Sequence, residues 1–222
     1  MNTASILRKC SRHLQRGTIL TAIKAKVQSS MKSLIKHTIG FEWQHYYVLS
    51  LNCDSLYKKL AISASDPNLR IATEKDWYDP ILVQELGPDK INYIIERCNN
   101  ANFCCVIYKE KQVRCFGFIS YREMELKNNI KYVLPKNEAF FYDDYCLTAY
   151  RRQGLYRKVL NERCRLIEQK GFNKVLTIVS PANGPSWQGH KSWNKEQSFY
   201  WIKFRGREYC TLKHYKPIQN SL

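Results

Sequence analysis

EAFFYDDYCLT (residues 138–148) runs straight into AYRRQGLY (149–156), then into a helix-patterned segment and the apolar KVLTIVS (174–180). The first stretch reads as a long strand and the last as a buried one, with a helix over about 155–170 between them. Tyr156, Val159, Leu160, Cys164 and Ile167 share one face of that helix, and Gly171 fits its C-terminal stop. Arg151-Arg152-Gln153-Gly154-Leu155-Tyr156 therefore sits where a strand hands over to a helix. Such a junction offers backbone N–H groups that the helix ladder leaves unpaired. Gly154 lets a ligand approach the backbone closely, and two arginines supply charge. The spacing predicts a cradle for a diphosphate.

Working outward, the remaining elements are shorter. Residues 41–52 read as a strand or a docking segment, 68–73 as a short strand, and 80–86 and 88–99 as helices parted by Gly87-Pro88. FCCVIY (103–108) and VRCFGFISY (113–121) flank a polar turn as a hairpin. A polar stretch follows over 122–137. After the buried strand come a helix over 183–193 and a closing pair of strands around Arg205-Gly206. Only one βαβ crossover is legible, so the pattern predicts a mixed α/β domain of the α+β type. Its central sheet is expected to be mostly antiparallel, flanked by helices.

Residues 18–37 carry an apolar stripe of Leu20, Ile23, Val27, Met31 and Leu34 among lysines, and a second helix is expected over 4–16. The chain thus divides into a basic helical extension (1–40) and a domain (41–222). A helix packed on the domain is the plainest reading of 18–37. A helix lying on an anionic membrane surface and a cleaved transit peptide are the others.

The 222 residues have room for one sizeable core, and 44% hydrophobic with 13% aromatic residues excludes a disordered chain. The net charge of +17 is uneven: residues 1–40 have eight Lys/Arg and no acid, 41–150 have a net of −2, and 151–222 a net of +11. Anionic partners are expected, such as a polyphosphate cofactor, nucleic acid or an acidic membrane. No window is apolar enough for a membrane span, and the N-terminus does not read as a secretory signal. With nine cysteines and no zinc spacing, reduced thiols in the cytoplasm and no metal site are the expectation.

The arrangement resembles the GNAT superfamily of N-acetyltransferases over about residues 68–215, most closely over 138–193. The family's acetyl-CoA motif, Arg/Gln-x-x-Gly-x-Gly/Ala, follows its fourth strand and opens a helix. Arg151, Gly154 and Tyr156 take those places, with Tyr156 where most members have a small residue. The family also has an Asn after the fifth strand, a small residue three positions on and a Tyr at seven. Here these are Asn183, Ser186 and His190, and the family's closing Gly-Phe is replaced by Asn194-Lys195.

The resemblance implies that N–H groups from Arg152, Gln153, Gly154, Leu155 and Tyr156 hold the CoA pyrophosphate. It also implies that main-chain groups of Cys146, Leu147 and Thr148 pair with pantetheine, and that Asn183 and Ser186 belong to the same site. Glu138, Asp143 and Asp144 are the candidates for taking a proton from an amine. Strand alternation predicts that Asp143 and Asp144 do not both face the cleft. A backbone N–H near Cys146-Leu147 would hold the oxyanion, and His190 would serve the departing thiolate. Implied is direct transfer of acetyl from acetyl-CoA to the primary amine of a small molecule. An aminoacyl-tRNA or protein acceptor is the alternative, with Trp187, Trp193 and Trp201 available for base stacking, as is a non-catalytic binding module.

Overall fold

The computed structural model describes residues 40–52, 66–100, 102–127 and 130–218, with Ser30, Ser33 and Lys36. The expected helix over 4–16, and all of 18–37 but those three positions, lie outside the described residues, as do Cys10 and Cys53. The strands are β1 (Phe41–Asn52), β2 (Leu69–Ile71), β3 (Phe103–Lys109), β4 (Val113–Ser120), β5 (Glu123–Lys127) and β6 (Ile130–Val133). They continue with β7 (Glu138–Cys146), β8 (Lys174–Val179), β9 (Asn194–Phe204), β10 (Arg207–Cys210) and β11 (Lys216–Pro217). The helices are α1 (Pro80–Leu86), α2 (Pro88–Cys98), α3 (Leu155–Gln169) and α4 (Gly184–His190).

Two compact units divide the chain. The first takes residues through Gln44 together with Tyr200–Thr211, and the second takes His45–Phe199 with Leu212–Leu222. In the first, the end of β9 pairs with β10 from Trp201↔Cys210 to Phe204↔Arg207. The hairpin turns at Arg205 (φ 48°) and Gly206 (φ 81°), where the sequence predicts a turn.

The second unit has its strands in the order β9-β1-β8-β7-β4-β3-β2, with β5, β6 and β11 in a separate small sheet. Among the described pairs with a register, β7 and β8 run parallel and the others are antiparallel. The mixed, mostly antiparallel sheet expected from the sequence is the one observed. Seven of the eight residues of β4 are buried, because helices cover both sheet faces. On one face Val106, Ile119, Phe141 and Val175 meet Val159, Cys164 and Ile167 of α3. On the other, Ile107, Phe116 and Phe118 meet Trp77, Leu82 of α1, and Ile91 and Ile94 of α2.

Local signals account for most boundaries. Asp79 caps α1, accepting from the Ile81 and Leu82 N–H groups, with Pro80 in the first turn. Gly87, at φ 82°, separates α1 from α2. The β5–β6 hairpin lies in a stretch with no readable strand alternation. It is half polar outside, with Met124 and Tyr132 buried.

One expectation is corrected. Cys115 and Cys146, opposite each other on β4 and β7, form a disulfide, so not all thiols are free. The partners are 31 residues apart in sequence, and only strand pairing brings them together. Cys98, Cys104, Cys105, Cys164 and Cys210 are not in disulfides.

Candidate active site

The site is built where β7 and β8 part. Their parallel register covers only Glu138↔Lys174 through Phe141↔Thr177. From Tyr142 onward β7 keeps β4 on one edge and has no β8 partner on the other. Burial changes at the same point, from fully buried through Phe141 to half-buried through Cys146. A β-bulge sits there: Phe116 pairs with Tyr145 and Phe118 with Tyr142, so Asp143 and Asp144 together face the single residue Gly117. Asp143 takes φ 50°. Both residues contribute to the wall of the resulting cavity, but their side chains part: Asp143 goes to Lys90 of α2 and Asp144 to Arg163 of α3.

That cavity encloses about 850 Å³. Its walls include Asp89, Lys90, Tyr93 and Arg97 of α2, Phe140–Asp144 of β7, Tyr46, Glu125, and Asn183, Ser186 and His190 at α4. Asp143 is paired with Lys90 at 3.1 Å. Arg97 forms an ion pair with Glu125 and lies 4.4 Å over the Tyr93 ring and 4.9 Å over that of Tyr142. These cation–π contacts fix the aromatic wall. Burial pushes the Tyr93 and Tyr142 phenols upward against the opposing charge of Arg97, with Asp143 adding to the rise, so both stay protonated.

Asp144 has a different setting. Its Oδ1 lies 2.5 Å from Nη1 of Arg163, a residue of α3 with no exposed surface. That nitrogen donates to the Phe118 carbonyl at 3.0 Å, and the guanidinium lies 4.3 Å over Phe141. Burial opposes the arginine's charge, but Asp144 outweighs it and the guanidinium is held still more firmly protonated. Gly117 makes room for the pair: a Cβ there would stand 2.5 Å from Asp144 Oδ1 and 2.6 Å from Arg163 Cζ. A glycine in mid-strand is the signal that could have revealed this close approach. Arg163 gave none.

Beyond β7, Thr148–Tyr150 form a 3-10 turn, and Arg152 (φ 63°) and Gly154 (φ 75°) take left-handed backbone. Gly154 begins α3 without a side-chain cap. The first bond of that helix is Lys158 N–H to the Gly154 carbonyl, 3.3 Å. The N–H groups of Leu155, Tyr156 and Arg157 therefore have no partner within their own helix. Arg151, Arg152, Gln153 and Gly154 are exposed. Tyr156 turns inward instead, donating from its hydroxyl to His190 Nε2 at 2.8 Å. Its side chain thus leaves the turn open.

The other sequence candidates fall unevenly. The Leu147 N–H is taken by the Arg114 carbonyl at 2.9 Å, and the Thr148 N–H by Glu85 of α1 at 2.8 Å. Neither is open to pantetheine or an oxyanion, and the unpaired edge of β7 lies earlier, from Tyr142 toward Cys146. The Cys146 carbonyl accepts from Arg151 Nε at 3.1 Å. Glu138 is buried at the start of β7, paired with Lys174 at 3.3 Å, and is not among the cavity residues. Asn183 caps α4 through the Ser186 N–H. His190 Nδ1 donates to the Ser186 carbonyl at 2.8 Å, which leaves Nε2 as the acceptor for Tyr156. Trp193 and Trp201 are buried, and Trp187 packs 5.2 Å from Tyr47, so these rings are packing residues and not a base-stacking platform. Among the described residues no cluster could hold a metal ion, and no helix is long and apolar enough to cross a membrane.

The sequence matches no model of a known protein family and no curated protein. Among solved structures, one similar chain is a functionally unknown conserved protein from Staphylococcus epidermidis, 9% identical with a TM-score of 0.49. The likeness covers 77% of this chain and 64% of that one, less than two thirds of its length. Another is AAC(6')-Iy in complex with a bisubstrate analogue, 18% identical over 61% of this chain and 92% of that one, TM-score 0.46. A third is the aminoglycoside 6'-N-acetyltransferase AAC(6')-Ih from Acinetobacter baumannii, 16% identical over 56% and 87%, TM-score 0.44. Such values carry nothing about substrate or residue roles. Strand order, the parallel β7–β8 pair that splays at a bulge, and the glycine turn into α3 give the chain a mixed, mostly antiparallel α/β fold, the class expected from its sequence.

Proposed function

We propose that the chain is an acetyl-CoA-dependent N-acetyltransferase that moves acetyl to the primary amine of a small molecule, by direct transfer in a ternary complex. One observation carries the reading: the edge of β7 that loses β8 at Tyr142 leads in line to the left-handed Arg152–Gly154 turn and the uncapped start of α3. An extended amide chain ending in a diphosphate fits that track, the amides along the open strand edge and the phosphates at the helix N–H groups. A Cβ at Gly154 would meet nothing within 4 Å, so the turn stands clear for close approach. When bound, acetyl-CoA supplies the activated acyl group.

The chain's own residues do the rest. Arg151, Arg152 and Arg157 are exposed around the turn and complement phosphate charge. Asp143, at the bulge and partly exposed beside Lys90, is the freer carboxylate to receive the amine's proton, since Asp144 is committed to Arg163. Of the carboxylates at the cavity, Asp143, Glu125 and Asp144 are each paired with a cation (Lys90, Arg97 and Arg163), so the wall is close to neutral. Asp89 adds one negative charge there, which suits a small cationic amine better than an anionic acceptor such as tRNA.

The test is release of free thiol from acetyl-CoA with a broad panel of amines, using the full chain. Acceptor-dependent release supports the reading. Tight CoA binding with no release for any amine would turn it to a non-catalytic module, and absence of CoA binding would remove both.

A further inference from the structure

On the hairpin of β9 and β10 the face that meets solvent is aromatic. The register pairs Ile202 with Tyr209 and Phe204 with Arg207, and directly opposed residues share a face. Alternation along β9 puts Tyr200 on that face with Ile202 and Phe204. There Tyr200 is 46% exposed, Phe204 37% and Tyr209 50%, although the solvent side of an antiparallel sheet is ordinarily polar. The opposite face is the buried one. Trp201 is 3% exposed, its Nε1 donates to Glu208 at 3.2 Å, and Lys203 pairs with the same carboxylate at 3.5 Å. The hairpin's acid is thereby turned away from the aromatic face. Arg207 stands on that face, and the Arg205 guanidinium lies 5.2 Å over the Phe204 ring. The turn is held: the Arg205 N–H donates to the Gly40 carbonyl at 3.1 Å, and Phe41 meets Phe204 edge-on at 6.3 Å. All of these residues belong to the first compact unit, apart from the cavity.

We propose that this face binds single-stranded nucleic acid, with bases stacked on Tyr200, Phe204 and Tyr209 and phosphates met by Arg205 and Arg207. Tyr209, opposite Ile202, falls between Tyr200 and Phe204 along the hairpin, diagonal to each at roughly 7–8 Å. Successive bases of a splayed strand can therefore reach successive rings. Arginine suits the company, since its planar fork pairs with phosphate and stacks on rings. Charge selects the occupant. A chain with a net charge of +17 and two arginines on an aromatic face complements a polyanion, whereas a second copy would set arginines against arginines. A lipid surface calls for an apolar tip, and the tip here is Arg205-Gly206-Arg207, with the rings lying back along the strands. A duplex keeps its bases stacked on one another and offers these rings nothing. The nucleic acid is a bound partner and not the acetyl acceptor, so the proposal stands apart from the acetyltransferase reading.

The experiment measures fluorescence anisotropy of a labelled, mixed-sequence RNA strand of about 12 nucleotides. The full chain is compared with Tyr200→Leu, Tyr209→Leu and Arg207→Gln. The wild type should bind the strand more tightly than the duplex made with its complement. Each leucine variant should bind the strand about tenfold more weakly. Leucine keeps apolar area, so that loss reports the ring. Arg207→Gln should flatten the dependence of log K on log salt by about 0.7, and the leucine variants should leave that slope as it is. All three positions are exposed, so the variants should melt as cooperatively as the wild type. Affinity unchanged in both leucine variants, or equal for strand and duplex, overturns the proposal, because basic residues elsewhere would then carry the binding. So does tighter binding to phosphatidylserine vesicles than to the strand, kept in the leucine variants, which assigns the face to lipid. A dimer in sedimentation that either leucine variant abolishes overturns it in favour of a second copy. The rise in Tm with CoA should be the same in all four proteins, so failure here leaves the acetyltransferase reading standing.

Discussion

Asp76 shows how single residues hold this fold. It is 2% exposed, yet it is ringed by donors: Arg70 Nη1 at 2.8 Å, Lys109 Nζ at 2.8 Å, and the Thr73 N–H and hydroxyl at 2.9 and 3.0 Å. Burial opposes the charge, but these donors outweigh it and hold the carboxyl well below the usual carboxylate range. An aspartate in an unfolded chain titrates near about 3.9, so the charged form is favoured by folding. The sign follows from linkage. With the folded value depressed, the stabilisation is complete above the unfolded value and is lost as pH falls through it toward the folded one. Asp76→Asn should therefore cost on the order of 2 kcal/mol at about pH 7, and progressively less as pH falls below about 4 toward the folded value. Urea unfolding across a series of pH values from neutral into acid checks this; a penalty that does not shrink progressively in acid would mean the loss is one of packing and not of charge.

At the scale of elements, the bulge in β7 carries the site. It sends Asp143 to Lys90 and Asp144 to Arg163 where β7 leaves β8, and the second pair depends on Gly117 having no side chain. Gly117→Ala would drive its Cβ to within 2.5 Å of Asp144 and 2.6 Å of Arg163. Arg163 is fully buried and has no escape to solvent. Breaking such a pair costs about 3–5 kcal/mol, enough to threaten a domain of ordinary stability. Chemical denaturation of Gly117→Ala should show a loss of that order; a loss under about 1 kcal/mol would mean the pair repacks freely.

This is also where sequence reading stopped. Periodicity, Gly and Pro placed β7, α3, β8 and the helices at 80–98, because those signals are local. The bulge, the Cys115–Cys146 pairing and the Asp144–Arg163 contact depend on which strands become neighbours. So does the engagement of the Leu147 and Thr148 N–H groups. The β5–β6 hairpin was silent for a different reason: its buried face is two residues wide, too little to impose alternation on a polar stretch.

Over the whole molecule, charge and backbone combine at the start of α3. Residues 151–222 carry a net of +11, while 41–150 carries −2, so the positive charge of the domain belongs to the part that begins with the turn. A ligand bearing a diphosphate should be drawn there, and increasingly weakly as salt screens the exposed arginines. Binding to the folded state alone stabilises it: at a concentration of CoA about a hundredfold above Kd the gain is about 2.7 kcal/mol. For a chain of this size that corresponds to a rise in Tm of roughly 5–10 °C.

Gly154→Glu isolates the turn from the field. The position is left-handed at φ 75°, so any side chain there costs about 1–2 kcal/mol. A Cβ meets no atom within 4 Å, so the added carboxylate has room to stand before the helix N–H groups. The variant should melt a few degrees lower than the wild type, cooperatively, and gain nothing from CoA. A full CoA-induced rise in Gly154→Glu would place the diphosphate somewhere other than this turn, and no rise in the wild type would remove CoA from the account altogether. The intermediate outcome is informative as well. A rise halved in the variant and abolished by high salt in both proteins would mean that the arginines, and not the backbone N–H groups, supply most of the binding.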